Sequence, residues 1–144
     1  MSDQLALGRS VLLSQPFSLL LGAELIHFDE GNAEIRIPIV DNLKQQHGFV
    51  HGGVISYAAD NALTFAGGSV LGAGVVTSEF KINYLRPARG DYLIARAQVI
   101  HAGKSQAVCR CDVFSSDNQG ERLCATAQGT IAKLGTASTE STQA

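Results

Sequence analysis

One carboxylate in this chain stands by itself. Between Gln45 and Ser78 the only formally charged side chain is Asp60, set in a run of Gly, Ala and larger apolar residues, HGGVISYAADNALTFAGG at 51–68. Burying an ionised carboxylate without partners costs several kcal/mol. Chemistry, as a general base or a nucleophile, is therefore a better reason for Asp60 than packing, and a core helix with one tolerated Asp is the competing explanation. Upstream lies the triplet His51, Gly52 and Gly53. If a helix starts there, its first N–H groups lack intrahelical partners and sit at the positive end of the helix dipole. With no Cβ in the way, a substrate oxygen can reach the Gly52 and Gly53 amides as in an oxyanion hole, where a single donor is worth roughly 3–4 kcal/mol at a transition state.

The two features are too far apart to serve one reacting carbon within one helix. Gly52 and Asp60 differ by eight positions, about 12 Å along a continuous helix axis, and the Asp side chain leans back only about 2–3 Å. A two-fold axis that sets two such helices antiparallel would bring Asp60 to the Gly52 of a neighbouring copy, twice over. At least a dimer is expected.

Elements that would position these groups follow from periodicity. The segment 51–68 is expected to be a buried helix opened by Gly52–Gly53 and closed by Gly67–Gly68. It has no Pro, is apolar on all sides, and carries an i, i+4 ridge of Ala58, Ala62 and Ala66. Residues 3–14 predict a short helix ending near Pro16. Residues 19–28 and 33–39 predict a hairpin about the Asp29–Asn32 turn. The alternation Val76, Ser78, Phe80, Ile82, Tyr84 predicts a strand, followed by strands near 92–101, 105–114 and 122–132. The expected fold is α+β: an antiparallel sheet of about six strands, its last four in a meander, wrapped around one long central helix. One domain spans 1–134, and the Ser/Thr-rich tail 135–144 is expected to be disordered.

Composition narrows the function classes. Only 17% of residues are charged and the net charge is −2, so there is no electrostatic footprint for nucleic acid, and few charges favour covering some surface by self-association. No stretch has the length and apolarity of a membrane span, and Asp3, Gln15 and Pro16 make a poor signal peptide. Cys109, Cys111 and Cys124 have no metal-type spacing and are expected as small core residues in a reducing, cytoplasmic setting. His47 and His51 share helical i, i+4 spacing, but the glycines around them place them in a loop, so no metal is expected.

The ordered set His51-Gly52-Gly53, Asp60, NYLRPARG at 83–90 and the His101–Lys104 turn resembles the hotdog-fold acyl-CoA thioesterases of the PaaI type. That resemblance implies hydrolysis of a fatty or aryl acyl-CoA to free acid and CoA, with no cofactor because CoA is part of the substrate, in a homodimer at minimum and usually a homotetramer built as a dimer of dimers. It implies an oxyanion role for Gly52, a loop or thioester role for His51, and activation of water or direct attack by Asp60 of the partner chain. Gln45 stands where the family often has an Asn that helps place the thioester. Thr77 stands where relatives carry a hydroxyl that orients water, although its strand parity equally fits a solvated face. Arg86, Arg89 and Lys104 are candidates for the CoA phosphates. Val50, Gly53, Tyr57 and Asn61 are candidates for lining the substrate site. A hotdog-fold dehydratase or hydratase pairing a His with Asp60, and a non-catalytic acyl-CoA binder, are the alternatives; aryl and medium-chain acyl groups are equally open.

Overall fold

The computed structural model describes residues 2–135; from 136 onward the expected disordered tail lies outside the described residues. Two short helices, α1 (Asp3–Leu13) and α2 (Pro16–Leu21), precede the hairpin β1 (Glu24–Asp29) and β2 (Asn32–Pro38). A single 3-10 turn at Asp41–Leu43 leads to the long helix α3 (Gly52–Leu71), after which come β3 (Val75–Tyr84), β4 (Tyr92–Ala102), β5 (Gln106–Asp117) and β6 (Gly120–Lys133). The strands form one antiparallel six-stranded sheet in the order β1-β2-β4-β5-β6-β3. α3 touches every strand of it. No helix among the described residues is long and apolar enough to cross a membrane.

Helix α3 holds the core together because its inner surface is made of small side chains. Ala59, Ala62 and Ala66 are fully buried beside Leu63, so the backbone can lie close to the sheet. Cys109, Cys111 and Cys124 are free, fully buried thiols, and Cys109 and Cys111 share the inner sheet face as their two-residue spacing in β5 predicts. Burial pushes the Cys109 and Cys124 thiols up to about 11, and raises Cys111 as well.

Three expectations are corrected. The helix does not stop at Gly67–Gly68 but runs to Leu71 and ends at Gly72, whose φ is 104°. Gly67 is there for close approach: a Cβ on it would lie 2.6–2.8 Å from Cβ, Cγ1 and Cγ2 of Ile131 on β6. Gly67→Ala, which in an exposed helix would stabilise by about 1 kcal/mol, is expected instead to destabilise by roughly 1–3 kcal/mol through overpacking. Urea midpoints of the two proteins read the sign directly.

The stretch 19–28 is not one strand. Pro16 occupies the first turn of α2, where its missing N–H costs nothing, and Gly22 in the left-handed region (φ 71°) ends that helix with its N–H on the Leu19 carbonyl, so β1 begins only at Glu24. Finally, only β4, β5 and β6 form a meander. β2 pairs with one edge of β4, from Asn32 opposite Gln98 to Pro38 opposite Tyr92, and β5 takes the other. β3 therefore lies at the far edge, against β6. The connection 85–91 crosses over, tied by the Leu85 and Arg86 amides to the Cys124 carbonyl.

Candidate active site

His51 is the N-cap of α3, in extended conformation (φ −60°, ψ 136°), and its Nδ1 accepts the Gly53 N–H at 2.8 Å. An accepting Nδ1 leaves the proton of the neutral imidazole on Nε2. The expectation that both glycine amides are open is thus half right. Gly53 is committed to the cap, whereas the Gly52 N–H meets no acceptor among the described residues. The peptide carrying that N–H has its carbonyl, His51 O, accepting from Val54 N at 3.0 Å and Ile55 N at 3.4 Å. Those bonds fix the plane of the Gly52 amide and polarise it.

The loop before the helix is stitched from both sides. His51 N donates to Leu43 O (2.9 Å), Val50 N to Ala88 O (3.1 Å) and Gln45 N to Phe49 O (2.9 Å). Gln45 differs from its expected role: its carboxamide oxygen accepts the His47 N–H and closes its own turn rather than facing Asp60 or Gly52. Val50 is 4% exposed and belongs to the core beneath the loop, not to a pocket wall.

Two turns into α3, Asp60 is half-buried, and Thr77 on β3 donates its hydroxyl to Asp60 Oδ1 at 2.5 Å. Thr64 donates to the Asp60 carbonyl (2.8 Å) and lies 2.9 Å from the Thr77 hydroxyl. Oδ2 of Asp60 has no partner among the described residues, so one oxygen is anchored and the other is available to take a proton or attack. Thr77 is therefore no solvated face residue, as its parity alone allowed. Thr64 was missed, although its i+4 relation to Asp60 places it on the same helix face.

Tyr57 and Asn61 turn elsewhere. The Tyr57 hydroxyl is 2.5 Å from Ser18 Oγ, and Asn61 Nδ2 donates to the Tyr57 hydroxyl and to Gln15 Oε1, both at 3.0 Å. With Ser18 bonded to Gln15 as well (2.6 Å), this network fastens α2 to α3. Tyr57 is consequently a structural residue. Asn61 has both roles, since it also lines a trough of about 430 Å³ between α1 and α3 that continues past Thr64 and Gly68 to Gly72. A second cavity, of about 300 Å³, lies beside His51, between Leu20, Lys44 and Val54.

The three candidate phosphate ligands do not converge within the protomer. Arg86 is exposed on the crossover, and Arg89 stacks its guanidinium 4.6 Å from the Phe49 ring, beside the loop that leads to His51. Lys104 lies beyond the far end of β4, an eleven-residue strand about 35 Å long that separates it from Arg89. Near the Gly52 amide the structure adds Tyr84, which sequence reasoning missed: its hydroxyl donates to Gly52 O (3.0 Å) and lies 2.5 Å from Ser56 Oγ.

A long helix wrapped by a single antiparallel six-stranded sheet, with an open amide at the helix start and an anchored carboxylate two turns on, defines a hotdog-fold protein with an acyl-transfer type of site. The model of the Thioesterase superfamily matches residues 47–122. The acyl-coenzyme A thioesterase PaaI of Escherichia coli (strain K12) is 34% identical over 116 residues, spanning 80% of this chain and 80% of that protein. The medium/long-chain acyl-CoA thioesterase YigI of Salmonella typhimurium is 27% identical over 129 residues, spanning 76% and 82%. Among solved structures, a thioesterase family protein from Silicibacter pomeroyi is 33% identical with a TM-score of 0.81, over 86% of this chain and 93% of that one. The chain belongs to the thioesterase superfamily.

Proposed function

We propose that this protein hydrolyses acyl-CoA thioesters to the free acid and CoA, at a site that two protomers build together. The observation carrying this reading is the separation of an anchored Asp60 from an open Gly52 amide on one straight helix, with β3 as an exposed sheet edge beside them. β3 is ten residues long, lacks Pro, and leaves Val76 and Tyr84 44% and 53% exposed. An edge like that invites pairing. Because Asp60 sits over Thr77 and Gly52 over Tyr84, an antiparallel β3–β3 pair with Thr77 opposite the partner's Tyr84 carries the partner's Gly52 to Asp60. The two-fold axis repeats the match.

In such a site the thioester carbonyl oxygen takes the partner's Gly52 N–H. Asp60 Oδ2 draws a proton from water as the water oxygen attacks the carbonyl carbon, and the C–S bond then breaks with that proton passing to the sulfur; in the alternative, Oδ2 attacks that carbon itself and the C–S bond breaks to release CoA thiolate, after which water hydrolyses the Asp60–acyl anhydride, freeing the acid, restoring the carboxylate and supplying the thiol proton. In this reading Arg86 and Arg89, on the same protomer as the Gly52 in use, take the phosphates, and no cofactor is called for. The tautomer of His51 disfavours a dehydratase, which needs a His base: its Nδ1 is occupied and its Nε2 carries the proton. Assembly as a dimer of dimers and a cytoplasmic setting belong to the same reading.

Thiol release from a panel of acyl-CoAs, combined with sedimentation analysis, tests it: release by a dimer or larger species is expected, and no release from any ester, or release by a monomer, would overturn it. Thr77→Val should lower kcat by about 10-fold or more with little change in KM, since a hydrogen bond to a charged group is worth roughly 1.5–3 kcal/mol. Thr77→Ser, which keeps the hydroxyl, should recover most of that loss.

A further inference from the structure

We infer that the acyl group this protein accepts best is a linear aliphatic chain of medium length, laid in the trough between α1 and α3; this rests on the hydrolytic reading above. The trough begins where the chemistry ends. Thr64, on its wall, touches the Thr77 hydroxyl that anchors Asp60, so an acyl tail leaving a carbonyl carbon at Asp60 enters it directly. From Asn61 to Gly72 it follows α3 for eleven positions, about 16 Å. Thr64, Gly68 and Gly72 recur at i, i+4 and i+8 and give it a floor of small residues.

The opposite wall is α1. That helix lies close over the hairpin because Gly8 has no side chain, and a Cβ there would be 2.6 Å from Leu25 and Phe28. It presents Leu7 and Val11 to the trough, 63% and 39% exposed. This is apolar surface left open to water along an elongated trough, a shape that suits an extended chain better than a fused ring.

Several of the polar atoms that α3 contributes are already engaged. Ser69 Oγ donates to Ala66 O (2.6 Å) and accepts Gly31 N–H (2.8 Å), Asn61 Nδ2 serves Gln15 and Tyr57, and Thr64 serves Asp60.

The test uses the intact oligomer and unreactive thioether analogues, S-butyl-CoA and S-dodecyl-CoA, measured by calorimetry, together with kcat/KM for butanoyl-, octanoyl-, dodecanoyl- and 4-hydroxybenzoyl-CoA. S-dodecyl-CoA should bind at least 10-fold tighter than S-butyl-CoA, and octanoyl-CoA should be hydrolysed more efficiently than 4-hydroxybenzoyl-CoA. Gly68→Leu, which fills the floor, and Val11→Trp, which fills the trough from the exposed wall at little cost to the core, should each lower the dodecyl-to-butyl affinity ratio at least 10-fold. A ratio near one in the unaltered protein, a ratio that both folded variants leave unchanged, or a preference for the hydroxyaryl ester would overturn the assignment. Binding is read without turnover, so a protein that holds S-dodecyl-CoA in this way yet releases no thiol would refute the hydrolytic reading and leave the trough standing.

Discussion

Asp60→Asn and Asp60→Ala should each lower kcat/KM for acyl-CoA hydrolysis by about 10³-fold, within the range that a single general acid–base group supplies. The pair separates chemistry from packing. Asn keeps the volume and leaves an oxygen for the Thr77 hydroxyl that now bonds Oδ1 at 2.5 Å, but it can neither accept a proton from water nor attack. Ala removes the acceptor altogether, and Thr77 then has Thr64 Oγ1 at 2.9 Å to turn to. Both variants should unfold at or above the midpoint of the parent, because each removes a half-buried charge that has no ion-pair partner among the described residues. An Asn variant retaining more than a tenth of the activity would remove Asp60 from the chemistry. Single turnover in ¹⁸O-water then tests for direct attack: label in the Asp60 carboxylate marks an Asp60–acyl anhydride opened by water at the aspartyl carbon.

The parts of this site that the sequence made legible are those whose residue types contradict their surroundings. Asp60 stands out because no other charge interrupts its stretch, and Gly52 because an unbranched backbone at a helix start has a specific chemical use. Partners that depend on the tertiary path were harder to read. Thr77 reaches Asp60 only because β3 crosses to the edge beside β6, and alternation within a strand carries no information about which neighbour that strand chooses. Tyr57 and Asn61 look like pocket residues on a buried helix until α2 is recognised. Residues 19–21 belong to that helix, and its Ser18, with Gln15 just before it, claims their polar atoms. Gln45 matches the chemistry of an amide that would hold a thioester, but its oxygen accepts the His47 amide two residues on, a local bond that residue type alone does not reveal. Gly67 and Gly68 read as a helix stop because glycine is a poor helix former. Spatial neighbours, Ile131 for one and the trough for the other, explain their presence within the helix.

The sharpest test of a shared site removes the Gly52 donor without disturbing the helix that presents it. Gly52 is the first residue of α3, the one helical position where Pro is favoured, and the preceding residue has the extended backbone that a following Pro requires, with His51 at φ −60° and ψ 136°. No intrahelical bond is lost, since the Gly52 N–H has no acceptor among the described residues. Gly52→Pro should therefore fold and assemble as the parent does while losing about 10²–10³-fold in kcat, the value of one oxyanion-hole donor. Gly52→Ala is the control: it keeps the N–H, and its Cβ meets the Tyr84 ring at 3.4 Å, an ordinary contact. Mixing then asks whose Asp60 works with whose amide. When the Gly52→Pro and Asp60→Asn proteins are unfolded together in equal amounts and refolded, half of the dimers should be mixed. Each mixed dimer has one site carrying both defects and one carrying neither, so about a quarter of the parental turnover should return. Sites contained within single protomers would stay inactive at every mixing ratio, and that outcome would refute the two-chain site while leaving the roles of Asp60 and Gly52 intact.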